Sequence, residues 1–98
     1  MDNQKLQYGE TFMRVKVQEI GHALHPSERV VEVTTASGKE RLVVDKRSID
    51  NGSLSVGSPI ARAKDFWLVE LPRETMSGSW RVWVKPSLLI EDTKARVA

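Results

Sequence analysis

The sequence predicts a mainly β fold built as one small domain, and three observations carry that expectation. Residues 11–20 alternate, with Met13, Val15 and Val17 set against Arg14, Lys16 and Gln18, which is the two-residue period of a strand with one buried face. Two later stretches, 29–45 and 66–84, each hold a pair of β-branched or aromatic runs on either side of a Ser-Gly turn signal. Finally, 98 residues with 40% hydrophobic and 29% charged residues sit near globular averages and suffice for one self-supporting core.

Taken in order, residues 1–10 are polar and predict a loose lead-in; residues 11–90 form the domain and 91–98 a frayed polar tail. The strand over 11–20 ends at Gly21, and 21–28, with both histidines and Pro26, is a loop. Residues 29–45 form a hairpin turning at Ser37-Gly38. A two-residue loop there sets Val33 opposite Leu42, Val31 opposite Val44 and Glu32 opposite Val43, with Val31, Val33, Leu42 and Val44 pointing inward. Asp45 to Ile49 then makes one helical turn, Asp45 accepting hydrogen bonds from the free amides that follow, and Asn51-Gly52 closes it. Gly57 and Pro59 confine a turn-rich extended run over 54–60, and 61–65 is a charged connection. In the last hairpin Phe66 to Leu71 runs out, 72–78 turns and Ser79 to Val84 returns, after which Pro86 starts a short turn. Strand parity places Trp80, Val82 and Val84 in the core and Arg81 and Trp83 outside, with Leu71 facing Val82 and Glu70 facing Trp83.

The two hairpins repeat. Val31-Glu-Val corresponds to Val69-Glu-Leu, Ser37-Gly38-x-x-Arg41 to Ser77-Gly78-x-x-Arg81, and Leu42-Val-Val to Val82-Trp-Val. From the turn onward the offset is 40 positions, and Ser48-Ile49 keeps it by falling on Leu88-Leu89. The outgoing strands are offset by 38, so the second loop is two residues longer. Two such units packed face to face, with 11–20 and 54–60 at the edges, predict a small closed or nearly closed barrel of five to six strands.

The glycine-punctuated Val56-Gly57-Ser58-Pro59-Ile60, the short turn before the chain end and the run from Gly78 to Leu88 together resemble an SH3-like barrel. Within that superfold the last hairpin is similar to that of the plasmid-borne type II dihydrofolate reductases, through an aromatic with Val-Glu, a Gly-Ser turn, a four-residue strand and a terminal Leu. The likeness covers about a quarter of the chain. Those enzymes line a pore with Val-Gln-Ile-Tyr, and the matching positions here are Trp80, Arg81, Val82 and Trp83. The glutamine and tyrosine are both replaced, so the resemblance implies a fold and not reductase activity. The same patterns also admit another pseudo-twofold β-barrel, or a small α+β domain if residues 45–52 extend into a longer helix.

Composition narrows the function classes. The absence of cysteine excludes disulfides, thiolate metal sites and a cysteine nucleophile, and suits a reducing cytoplasm. No apolar run approaches the roughly 18 residues of a membrane span, and the first ten residues lack the features of a secretory signal. A cytoplasmic protein without membrane contact is expected. Glu19, His22 and His25 are spaced as ligands on a helix would be, but Gly21 and Pro26 argue against that helix and leave two loop histidines. Neither a Gly-x-Ser-x-Gly elbow nor a phosphate-cradling glycine loop occurs, and the carboxylate pair Glu91-Asp92 falls in the tail. The expectation is a protein that is not an enzyme and has no catalytic residues, no bound metal and no cofactor.

The outward positions are more informative. Val30, Val43, Leu68 and Trp83 share outward parity as an apolar strip, with Glu70 and Arg81 beside it, and a monomer rarely exposes such a strip. The role this predicts is a binding or assembly module acting through protein contacts, with a homo-oligomer or another protein as partner. Nucleic acid ranks second. Lys39, Arg41, Lys46 and Arg47 in the first unit and Arg62, Lys64, Arg81 and Lys85 in the second would meet phosphates, and Trp83 would stack on bases, although Glu32, Glu40, Asp45, Asp65 and Glu70 dilute that patch. An enzyme ranks third.

Overall fold

Short alternating runs bounded by glycine and proline make short strands, and the computed structural model, which describes residues 11–92, shows how these pair. Nine strands, each antiparallel to its neighbours, form three three-stranded sheets. In the first, β1 (Met13–Lys16) lies between β5 (Ser53–Gly57) and β9 (Leu89–Glu91). In the second, β3 (Glu28–Thr35) lies between β2 (Gln18–His22) and β4 (Gly38–Asp45). In the third, β7 (Trp67–Glu70) lies between β6 (Ala61–Arg62) and β8 (Arg81–Val84). The chain is therefore mainly β. Among the described residues no ladder joins one sheet to another, so the strands do not close into a hydrogen-bonded barrel. Among the described residues no helix is long and apolar enough to cross a membrane.

The count exceeds the five to six strands expected because the first alternating run divides in two and because β6 and β9 form where a charged connection and the end of the last turn are expected. At Val17 the backbone leaves the first sheet, its amide donating to the Gly52 carbonyl at 2.9 Å, and β2 continues in the second. Gly21 does not end this run. It lies inside β2, next to a register shift that takes up one extra residue and leaves Ile20 exposed, as a bulge does.

The repeat is the plan of the whole fold. β2, β3, β4 and a 3-10 turn at Lys46–Ser48 recur as β6, β7, β8 and a 3-10 turn at Pro86–Leu88. The strands that precede these units, β1 and β5, pair with each other. Arg14 faces Ser55 and Val15 faces Leu54, two pairs that exchange when residue numbers are shifted by 40, so a pseudo-twofold axis passes through that ladder. Each hairpin tip then caps the edge of the other unit: the Ala36 amide donates to the Trp83 carbonyl at 2.8 Å, and the Met76 amide to the Arg41 carbonyl at 2.7 Å. These contacts protect β4 and β8, whose outer edges would otherwise present unpaired backbone groups.

The core draws on all three sheets. Val15 and Leu54 come from the first, Val31, Val33, Leu42 and Val44 from the second, and Val69, Leu71, Val82 and Val84 from the third. Each fully buried Val or Leu contributes roughly 1.5–3 kcal/mol, which is what holds together sheets that share no ladder. Arg14 links β1 to Ser48, Ser53 and Asp92 beside this core. Its guanidinium donates to Ser53 Oγ and the Ser53 carbonyl at 2.8 Å, and to the Ser48 carbonyl at 3.1 Å, and lies 3.7 Å from the Asp92 carboxylate. Asp92 is buried and its amide donates to the Phe12 carbonyl at 2.8 Å, so residues 91 and 92 pack beside the first sheet. The lead-in over 1–10 and the tail beyond Asp92 lie outside the described residues.

Two details of the hairpins differ from the sequence expectation. The first turn is Ala36-Ser37, set between the paired Thr35 and Gly38. The buried Thr35 hydroxyl donates to the Gly38 carbonyl at 2.6 Å and accepts from the Ser37 amide at 3.2 Å, while Gly38 takes a φ of +125° that a side chain would oppose. The register moves by two, giving Val31 opposite Leu42, Glu32 opposite Arg41 and Val30 opposite Val43. A shift of two preserves the face of every side chain, so the inward set is as expected although its partners are not. The second hairpin shifts likewise, with Val69 opposite Val82, Glu70 opposite Arg81 and Leu68 opposite Trp83.

The second difference is Trp80, which is 49% exposed rather than in the core. Its row is the last of the ladder, closed by the Leu71 amide donating to the Trp80 carbonyl at 2.8 Å, and Leu71, only 2% exposed, fills the interior there. The equivalent row of the first hairpin pairs buried Val33 with Glu40. A charged residue at the matching position marks this end of the return strand as rim.

Candidate binding face

The outer faces of the two hairpins can be compared row by row. In the first, Glu32 faces Arg41, Val30 faces Val43 and Glu28 faces Asp45. In the second, Glu70 faces Arg81 and Leu68 faces Trp83. The next step along the same register brings Phe66 beside Lys85, and both line one shallow groove. The rows are equivalent under the repeat, yet their chemistry diverges from one end to the other.

At the first row an ion pair forms in one hairpin and not in the other. Arg41 Nε donates to Glu32 Oε2 at 3.1 Å, Lys39 Nζ lies 3.8 Å from Oε1, and the Glu32 side chain is 12% exposed. Arg81 and Glu70, although opposite each other, make no ion pair with any described residue. At the second row Val30, Val43 and Leu68 are half-buried, whereas Trp83 remains 38% exposed. Trp83 lies on β8, an edge strand that the neighbouring hairpin tip reaches through the Ala36 amide. The strip Val30, Val43, Leu68 and Trp83 is thus split between two sheets, as one apolar row on each.

The third row differs most. In the first hairpin Arg47 engages Asp45 with Nε and Nη2 at 3.2 Å, and its backbone amide donates to Asp45 Oδ1 at 2.9 Å. The side-chain hydrogen bond from Arg47 is the main reason the Asp45 carboxyl lies below its ordinary range, followed by the backbone bond and the nearby positive charges of Arg47 and Arg73. The same hydrogen bond and charge raise Arg47. This is the cap that the sequence places before the 3-10 turn, so the shift has a structural cause. Lys85 occupies the same place before the second turn, where no side chain caps. With no carboxylate against it, Lys85 is an exposed cation.

All three tryptophans belong to the second unit, in three different settings. Arg62 Cζ lies 4.4 Å from the ring centroid of Trp67, which covers that face by a cation–π contact. Trp80 lies at the rim, and Trp83 stands on the open sheet face between Arg81 and Lys85. Beside the last row a groove of about 450 Å³ opens between Phe66, Lys85 and Ser87 on one side and Thr34 to Ala36 of the other hairpin's tip on the other. The sequence singled out Val30, Val43, Leu68, Glu70, Arg81 and Trp83, and Lys85 as a phosphate contact, but not Phe66. The repeat carried the missing signal, because it sets Phe66 on Glu28 and Lys85 on Asp45.

The other candidates are engaged elsewhere. Glu19 pairs with Arg29 at 3.0 Å across β2 and β3, and His25 Nδ1 bonds within its own loop to the Ser27 hydroxyl at 2.8 Å. Among the described residues no group of three His, Asp or Glu side chains is placed to hold a metal. Compared with known proteins, the chain matches no family model, no curated protein and no solved structure.

Proposed function

We propose that this chain is a small non-catalytic binding or assembly module, an open SH3-like arrangement of two equivalent hairpin units, whose working surface is the outer face of β7 and β8. The observation that carries the proposal is the Leu68–Trp83 row, where a large indole stands 38% exposed on a sheet face. Leaving an aromatic ring in water forgoes the burial that makes tryptophan a frequent centre of interfaces, and a covering partner restores it. The twin row, Val30 and Val43, carries no such excess. The 3-10 turn immediately before the last strand supports the SH3-like reading.

The test is the mass of the purified chain in solution over a range of concentrations, before and after nuclease treatment, for wild type and Trp83→Asp. The expected result is a wild-type particle heavier than one chain, through a second copy or a carried partner, reduced to one chain by Trp83→Asp with the thermal midpoint unchanged. A wild type that runs as one bare chain under all conditions and is indistinguishable from Trp83→Asp would remove the proposal.

A further inference from the structure

We infer that the partner of the β7–β8 face is a single-stranded nucleic acid, an inference that rests on the proposed working surface and names its ligand. The grounds are the placement of charge and aromatic rings together. Along β8 and its continuation the outward residues are Arg81, Trp83 and Lys85, so an exposed indole is flanked two positions away on each side by a cation. Alternate residues of a strand lie about 6.6 Å apart on one face, which sets three binding groups in a line. Neither cation makes an ion pair with a described residue, although Glu70 stands opposite Arg81 and Asp65 lines a groove with Lys85, whereas at the equivalent positions of the first hairpin Arg41 is paired with Glu32 and an aspartate replaces Lys85. Phe66 adds a second ring beside Lys85, and the adjoining groove continues the track with the hydroxyls of Ser87 and Thr34.

Each element suits one part of a single strand. Unpaired bases offer π-faces that stack on Trp83, while the phosphates between them meet Arg81 and Lys85, and hydroxyls in the groove donate to phosphate or sugar oxygens. A duplex keeps its bases stacked inside and offers Trp83 nothing to stack on. An acidic protein surface would use the cations but leaves the line of alternating ring and charge without a purpose, so the observations favour the nucleic acid.

The experiment titrates the full chain, freed of carried nucleic acid by nuclease, against a labelled oligothymidylate of about 15 nucleotides, the upper range of one small barrel's site. Affinity is measured at several salt concentrations, with a mixed-sequence duplex as the comparison. Binding that weakens with salt is expected, tighter for the single strand. Trp83→Ala weakens it roughly 5- to 150-fold, as the loss of one stacked base does, and Trp83→Phe, which keeps a ring, restores most of it and controls for folding. Arg81→Gln and Lys85→Gln each lower the slope of log affinity against log salt by about 0.7. Lys16→Gln, which removes an exposed charge on β1, leaves both readouts unchanged. Absence of salt-dependent binding overturns the inference, as does Trp83→Ala binding like wild type or a duplex binding equally well. A Trp83-dependent gain in mass without oligonucleotide affinity also overturns it and assigns the face to a protein. Loss of that gain as well removes the working surface itself.

Discussion

The two hairpins are the same structure carrying different surfaces. Their inner rows match closely, with Val31, Val33, Leu42 and Val44 in one and Val69, Leu71, Val82 and Val84 in the other, all buried. Their tips are also alike. The buried Thr35 and Thr75 sit at equivalent places, each with a serine hydroxyl beside it, Ser37 at 3.4 Å and Ser77 at 3.1 Å, and each with a glycine of positive φ after the turn. Outside, one face pairs Arg41 with Glu32 and Asp45 with Arg47 and holds no aromatic residue, and its twin leaves Arg81 and Lys85 without an ion pair on either side of Trp83. The difference teaches that the interior is constrained by packing on both sides of the pseudo-twofold axis, whereas the outer residues are free to diverge, and in one half they set an exposed tryptophan between two cations.

That comparison can be broken most forcefully in the core. Leu42→Ala empties a fully buried position and should cost about 2–5 kcal/mol in denaturant unfolding. Val82→Ala, its twin, removes fewer buried atoms and should cost less, by about 0.8 kcal/mol for each methylene of difference. A much larger loss at Val82 would show that the third sheet, and not the second, anchors the fold.

Next come the tips. Thr35→Val leaves the Ser37 amide and the Gly38 carbonyl without their hydroxyl partner, and Thr75→Val leaves the Ser79 amide, bonded at 3.0 Å, in the same condition. Each should cost about 1–3 kcal/mol, with Thr35 at the upper end because its hydroxyl serves two backbone groups. Urea midpoints of the two variants measured together decide the order.

On the surface the effects shrink. Arg41→Ala breaks the pair with Glu32 and should cost about 0–1 kcal/mol, while Arg81→Ala, with no ion pair to lose, should stay within about 0.5 kcal/mol of wild type. Stability losses of equal size would contradict the asymmetry between the faces.

The smallest expected effect concerns acid. The Asp45 carboxyl is lowered by Arg47 in the folded chain, so its contribution is present above the ordinary aspartate range near pH 4 and fades as the pH falls through the lower folded value. Asp45→Asn should therefore unfold slightly earlier than wild type at neutral pH and converge with it in strong acid. Thermal midpoints taken between about pH 2 and 7 would show the convergence, and a gap that widens in acid would reverse the sign.

Much of the fold was legible because period-2 patterning records which face of a strand is buried, and the inward valines of both hairpins follow from it. Register was not, since turn position depended on where the Thr35 hydroxyl found backbone partners, and a shift of two leaves no trace in the pattern. The division of 11–20 between two sheets was also hidden, because Val17 keeps the alternation while its amide leaves the ladder for Gly52. Of the candidate site, Arg81 and Trp83 were readable from parity. Trp80 was misplaced because parity assumes a covering sheet, and at the last row of the ladder the interior is already filled by Leu71.

By itself the sequence determined the elements, their faces and the duplication, because propensity, parity and turn chemistry act over a few residues at a time. Only the tertiary structure decided that β1 and β5 pair across a pseudo-twofold axis, that each tip caps the other unit's edge, and that Phe66 and Lys85 extend the Trp83 face into a groove. Those outcomes depend on residues distant in the chain satisfying each other's backbone groups and filling one shared core, and no local pattern encodes such pairings.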